Sequence, residues 1–161
     1  MPKQSLTTSR HETRHFARVS VAAHINAPVE RVRRQFADLD HHIECNVHPK
    51  LTFRKLYQTA DKARFEQTVR LLGMRQRDLF DRTIHADGSM TDLSIDGANK
   101  GGSLRFRFEP KAGGTDVSVE VRLPVPRLLG FLRPVMERQV RKEVLQAVAE
   151  DQRDLENGAY A

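Results

Sequence analysis

From Pro49 to Pro124 the chain keeps a two-residue rhythm, and from Arg127 it changes to a helical one. A strand turns successive side chains to opposite faces, whereas a helix returns to one face about every 3.6 residues, so this change of period restricts the available folds. Leu51, Phe53, Lys55 and Tyr57 share one face of a strand. Phe65, Gln67, Val69 and Leu71 share the next, followed by Gln76, Asp78, Phe80, Arg82 and Ile84. A strand near Met90–Ile95 comes next, then Leu104, Phe106 and Phe108, and finally Val117, Val119, Val121 and Leu123. Turn signals separate these runs: Thr59 to Asp61, Gly73, Asp87-Gly88, the glycines from Gly97 to Gly102, and Gly113-Gly114. Neither glycine pair opens a helix, so they read as turns and not as phosphate loops.

Upstream, Val19, Val21, Ala23 and Ile25 alternate with Ser20, Ala22 and His24, which predicts one more half-buried strand. Asn26-Ala27-Pro28 breaks it, with Asn26 expected to cap a helix and Pro28 to sit in its first turn. Val29, Val32 and Phe36 follow at helical spacing, and a second short helical or irregular piece is expected over Leu39 to Val47. The last segment, Arg127 to Asn157, is helical in pattern; Pro134 is expected to kink or restart it and Gly158 to end it. Short turns between consecutive strands imply an antiparallel meander. Its apolar face must be covered, and only the last helix is long enough to do so. The expected class is therefore α+β: a curved antiparallel sheet of about seven strands, two short helices after strand 1, and a long C-terminal helix over the sheet.

With 161 residues the chain suits one domain, assigned to 15–158, after a polar, patternless segment 1–14 expected to be a flexible tail. The net charge of +6 raises the question of nucleic acid. Acids stand beside the bases, however, as in Arg64/Glu66, Asp78/Arg82 and Glu137/Arg138, and no basic motif carries interleaved aromatics. Even the densest cluster, Arg31, Arg33 and Arg34, fits a solvated surface, so no nucleic-acid partner is expected. Cys45 is the only cysteine, the first 15 residues lack an apolar signal core, and no run approaches a membrane span. A cytoplasmic protein with no integral membrane segment is expected. The sequence sets no oligomeric state, and a homodimer stays open.

The element order, with VSVAAHINAPVERVRRQFADLDHH near the start, GGTDVSVEVRLPVP near the end and the helix opening at PRLLGFL, resembles the helix-grip fold of the START and polyketide-cyclase-like superfamily, SRPBCC. The resemblance spans about residues 16–157. It implies a cavity between sheet and helix that takes lipids, polyketides or other small apolar molecules, without choosing among them.

Chemistry-bearing residues fall in three places. At about 100° per residue, with Val144 at zero, Val140 and Val148 lie about 40° to either side and Asp151 at about −20°, inside the apolar stripe. A carboxylate there either reaches solvent or an arginine, or projects into the cavity as an anchor, acid/base group or metal ligand. The second place is the run Asp38, Asp40, His41, His42, Glu44, Cys45 and His48, which is otherwise a polar helix with capping carboxylates. With Glu150-Asp151 it resembles the iron-site segments of Rieske-type oxygenase catalytic domains. It departs from them in having five residues between His42 and His48 instead of four, and no Cys-His pairs for a Rieske cluster. His41 and His48 would stand about 10 Å apart on an unbroken helix. The candidate metal set is therefore His42, His48 and Asp151, with Fe or Zn as the ion; no other cofactor motif is present. The third place is the strand faces. Candidate ligand-binding residues are Phe65, Gln67, Gln76, Asp78, Phe80 and Arg82, joined by Val144, Val148 and Asp151 from the helix. Cys45, Met74 and Met90 read as packing. Three functions follow: binding of a small apolar molecule, a cyclase, aromatase or dehydratase activity using Asp78, Arg82 and Asp151, or a mononuclear metal protein.

Overall fold

The computed structural model describes residues 16–161; the expected tail at 1–14 lies outside the described residues. The elements are β1 (Phe16–Ile25), α1 (Val29–Ala37), α2 (Leu39–Glu44), β2 (Thr52–Gln58), β3 (Lys62–Leu71), β4 (Met74–Ile84), β5 (Met90–Gly97), β6 (Ser103–Lys111), β7 (Gly114–Pro124), a 3-10 segment (Arg127–Leu132) and α3 (Arg133–Glu156). The seven strands form one antiparallel sheet in the order β1-β7-β6-β5-β4-β3-β2. This is the helix-grip α+β architecture.

Alternation decides which face is buried. Val19 pairs with Val121 and Val21 with Val119, all buried, while Ser20 and Glu120 pair on the other face. These valines form the main core with Val32 and Phe36 of α1 and Val140, Val148 and Leu155 of α3. A smaller cluster of Leu39, Ala63, Phe65 and Phe80 fills the end near β3 and β4. Among the described residues no helix is long and apolar enough to cross a membrane.

Two local expectations need correction and two are met in detail. Pro28, not Asn26, occupies the cap of α1, with no side-chain cap bond; the Asn26 N–H instead donates to Glu156 Oε1 at 2.9 Å. The restart expected at Pro134 is observed: residues 127–132 wind as 3-10 and α3 opens at Arg133 with Pro134 in its first turn, where its missing N–H leaves no bond unmade. The second short piece is helical to Glu44 and irregular beyond, as expected, because Asn46 adopts a left-handed φ of 48° and turns the chain back. A register shift between Lys55 and Tyr57 takes Tyr57 out of line with Phe53 and leaves it exposed. At the end of β5, Gly97 (φ 113°) packs against the Arg77 carbonyl so closely that a Cβ would collide with it, and this seats the following loop on β4.

Candidate functional site

Between the sheet and α3 lies a cavity of about 170 Å3. Val140, Val144, Ala147 and Val148 line it from α3, Val119, Val121 and Leu123 from β7, Leu104 and Phe106 from β6, and Phe36 and Leu39 from the short helices. These walls are apolar because both elements turn their periodic stripe inward. A cavity of about 150 Å3 with such walls takes up one aromatic ring.

Two polar clusters interrupt the apolar walls. In the first, Arg82 makes a bidentate pair with Asp92 (Nε to Oδ1 2.7 Å, Nη2 to Oδ2 2.8 Å) and donates from Nη1 to the Phe36 carbonyl at 3.1 Å. Its guanidinium lies 5.0 Å from the Phe65 ring centroid. Asp78 accepts from the Asn99 backbone N–H at 2.6 Å, from Asn99 Nδ2 at 2.7 Å and from Ser94 Oγ at 3.0 Å.

The second cluster joins α2, the turn after it and α3. The reversal at Asn46 brings the His48 ring to 5.1 Å from that of His42, the approach an unbroken helix would forbid. His42 Nε2 lies 3.0 Å and His48 Nε2 3.4 Å from Asp151 Oδ1, and all three residues are buried. The outer nitrogens are tied elsewhere. His42 Nδ1 donates to the Asp38 carbonyl at 2.7 Å and His48 Nδ1 to Glu150 Oε2 at 2.8 Å. Gln35 Nε2 donates to Asp151 Oδ1 at 3.0 Å and to Asp154 Oδ2 at 2.9 Å. Asp154 also receives His41 Nε2 at 2.8 Å, so His41 turns away from the centre. Burial alone would push the Asp151 carboxyl up, but its hydrogen bonds to His42 and His48 prevail and hold it well below the usual carboxylate range. Burial likewise pulls His48 down, and the Asp151 and Glu150 interactions overcome this to leave it raised above its ordinary value.

Of the residues singled out in the sequence, Gln67, Asp78, Phe80, Arg82, Val144, Val148, Asp151, His42 and His48 all line the cavity. Phe65 and Gln76 do not. Phe65 stacks beside its cross-strand partner Phe80 with centroids 5.6 Å apart and is covered by the Arg82 guanidinium. Gln76 accepts from Asn99 Nδ2 at 3.0 Å at the margin. Sequence reasoning missed Asp92, Asn99 and Gln35. Asp92 had a usable signal: a hairpin centred on Asp87-Gly88 pairs it with Arg82. Asn99 sits in a glycine-rich loop without periodicity, and Gln35 is a polar residue beside Phe36 on a short helix; neither had one.

A curved sheet gripped by a long helix around a lined cavity defines a helix-grip protein of the START and polyketide-cyclase-like superfamily. The family model described as polyketide cyclase / dehydrase and lipid transport matches residues 17–154, and the chain belongs to that family. Solved structures share the fold at low identity. A Thermus thermophilus protein is 19% identical at a TM-score of 0.77, over 88% of this chain and 98% of that one. The Zhui aromatase/cyclase from a Streptomyces species is 13% identical at 0.74, over 91% and 98%. A START superfamily protein from Mycobacterium smegmatis is 16% identical at 0.67, over 87% and 97%. No curated protein sequence matches the chain.

Proposed function

We propose that the protein binds one small, largely apolar molecule between the sheet and α3, with a polar end of the ligand at the His42, His48 and Asp151 wall. The observation that carries this is the cavity itself: largely apolar on both long walls, with most of its polar groups gathered in two clusters. Preformed apolar cavities with a few oriented polar groups are the usual form of a small-molecule site. The test is a fluorescent apolar probe titrated into wild type and into Ala147→Phe, which fills the cavity from α3. Binding should weaken by more than about tenfold as apolar volume is lost, with the circular dichroism spectrum unchanged. Equal binding by both proteins overturns the reading.

A cyclase-type enzyme is the second reading. It is favoured by the two imidazoles and the carboxylate in the cavity wall, and by the aromatase/cyclase among proteins of this fold. Turnover of a polyketide-like substrate by wild type and its loss in Asp151→Asn would support it; equal turnover by both proteins would exclude a role for Asp151. A cytoplasmic setting without nucleic acid completes the proposal. It is supported by surface bases that already hold acids, as Arg54 and Arg77 hold Glu66 and Arg64 holds Asp81.

A further inference from the structure

With its histidines neutral, the second polar cluster has more acceptors than donors. His42 gives its Nδ1–H to a backbone carbonyl and His48 gives its Nδ1–H to a carboxylate. With Nδ1–H committed outward, each Nε2 points inward, carrying a proton when the ring is an imidazolium and a lone pair when it is neutral. Both Nε2 atoms converge on one oxygen, Asp151 Oδ1: as N–H donors in the protonated rings, and as two lone pairs facing an acceptor once those protons leave. Gln35 already spends its amide hydrogens on Asp151 and Asp154, and its Oε1 is buried without a partner. Three ligand atoms converge on one buried point, with the carboxylates of Glu150 and Asp154 hydrogen-bonded around it and the Arg82 guanidinium as the cation that faces Asp151.

We propose that His42, His48 and Asp151 bind a single divalent transition-metal ion, of the Zn(II) or Fe(II) kind, with its remaining coordination positions open to the cavity. Their ligand atoms lie within 4.8 Å of one another. At metal–ligand bonds of about 2.1 Å, neighbouring donors of a tetrahedral or octahedral set stand roughly 3.0–3.4 Å apart; the distances from the two Nε2 atoms to Asp151 Oδ1 are 3.0 and 3.4 Å. Two imidazoles and one carboxylate suit borderline metals, and three protein ligands leave positions free for water or a ligand oxygen. The outer hydrogen bonds have the form that supports metal-bound histidine: Nδ1–H to a carbonyl or carboxylate, which fixes the tautomer and aims Nε2 inward. Glu150 and the Asp38 carbonyl are positioning groups in this scheme. All three ligands border the cavity, so an oxygen on a bound molecule can reach the ion. This site goes beyond the proposed ligand binding and does not require it.

The test is titration of chelator-treated full-length protein with Zn(II), and with Fe(II) under anaerobic conditions, by calorimetry and by elemental analysis after gel filtration. One equivalent per chain is expected. Asp151→Asn and His48→Ala should each weaken binding by more than about 100-fold, and Glu150→Gln, which keeps all three ligands, by about 10- to 100-fold. A double variant of the exposed His24 and His85, His24→Ala with His85→Ala, should bind like wild type. Apolar-probe binding to the metal-free variants reports folding and the cavity independently, so failure of the metal site and failure of the ligand reading are told apart. Two results overturn the site. One is no metal retained by wild type, with 15N spectra showing both nitrogens of His42 and His48 protonated, because protons then fill the role given to the ion. The other is metal uptake unchanged in folded Asp151→Asn.

Discussion

The two polar clusters of the cavity wall are equally buried and opposite in design. Around Arg82, each charge meets a partner of the opposite sign or a neutral donor: a bidentate pair with Asp92, a carbonyl for the third nitrogen, and Asn99 with Ser94 for Asp78. Around Asp151, two Nε2 atoms whose Nδ1–H groups are already spent converge on one carboxylate oxygen, so only protons or another cation can reconcile them. A closed network gains nothing from an added ion and mainly fixes side chains in place. An acceptor-rich one is stabilised by any cation that enters. Burial alone therefore does not mark a site in this protein; the balance of donors and acceptors does.

The largest effect should come from opening the closed network. Arg82→Ala leaves Asp92 buried and unpaired, and should cost about 3–5 kcal/mol of stability, read as a lower denaturant midpoint. The double variant Arg82→Met with Asp92→Leu should recover most of that loss, since well-packed apolar replacements of a buried pair are often neutral. A double variant no better than the single one would mean that the pair holds up the fold through its contact with the Phe36 carbonyl and not through charge balance.

Next comes occupancy of the open cluster. If it takes a metal as proposed, Zn(II) at about 100 times its Kd should raise stability by about 2.7 kcal/mol over chelator-treated protein. Asp151→Asn should show no such rise, while the Arg82→Met, Asp92→Leu protein should show it in full. Loss of the rise in that double variant would show that the two clusters act as one unit.

A smaller loss, about 1–3 kcal/mol, is expected for Asn99→Ala, which strips the side-chain amide donor from the buried Asp78 carboxylate. The backbone N–H of residue 99 can still donate, which keeps the effect below that of Arg82→Ala. A loss as large as the Arg82 variant's would mean that Asn99 also seats the loop after Gly97.

Legibility in the sequence followed periodicity. The sheet was legible because alternation and hairpin turns fix register, and the lid because its stripe has helical spacing. Asp151 was legible for the same reason, as a charged residue inside an apolar stripe. The approach of its partner His48 was not, because it depends on one left-handed residue, Asn46, and backbone reversals leave no trace in hydrophobic pattern. Phe65 was placed on the correct face but is shut off from the cavity: it pairs with Phe80 across β3 and β4, Arg82 lies over its ring, and only Phe80 reaches the cavity. Face is encoded in period two; access to the cavity is set by what packs above.

The smallest effect should come from the outer face of the sheet, which supplies the control for both clusters. Arg64 holds Asp81 in a fork there (Nε to Oδ1 2.6 Å, Nη2 to Oδ2 2.9 Å), in the same bidentate form as Arg82 with Asp92 but about a third exposed. The Arg64 hydrogen bonds and charge, working against slight burial, lower the Asp81 pKa from 3.8. A carboxylate whose folded pKa is depressed contributes stability above its unfolded pKa and loses it as pH falls through the folded value. Asp81→Asn should therefore lower Tm by less than about 2 °C at neutral pH, with the difference shrinking in salt and vanishing below the ordinary aspartate range. Identical geometry with a far smaller effect would assign the strength of the Arg82 pair to its removal from water. A loss matching that of Arg82→Ala would instead assign it to the fork geometry, and the contrast between the two buried clusters would then have to be argued from shape alone.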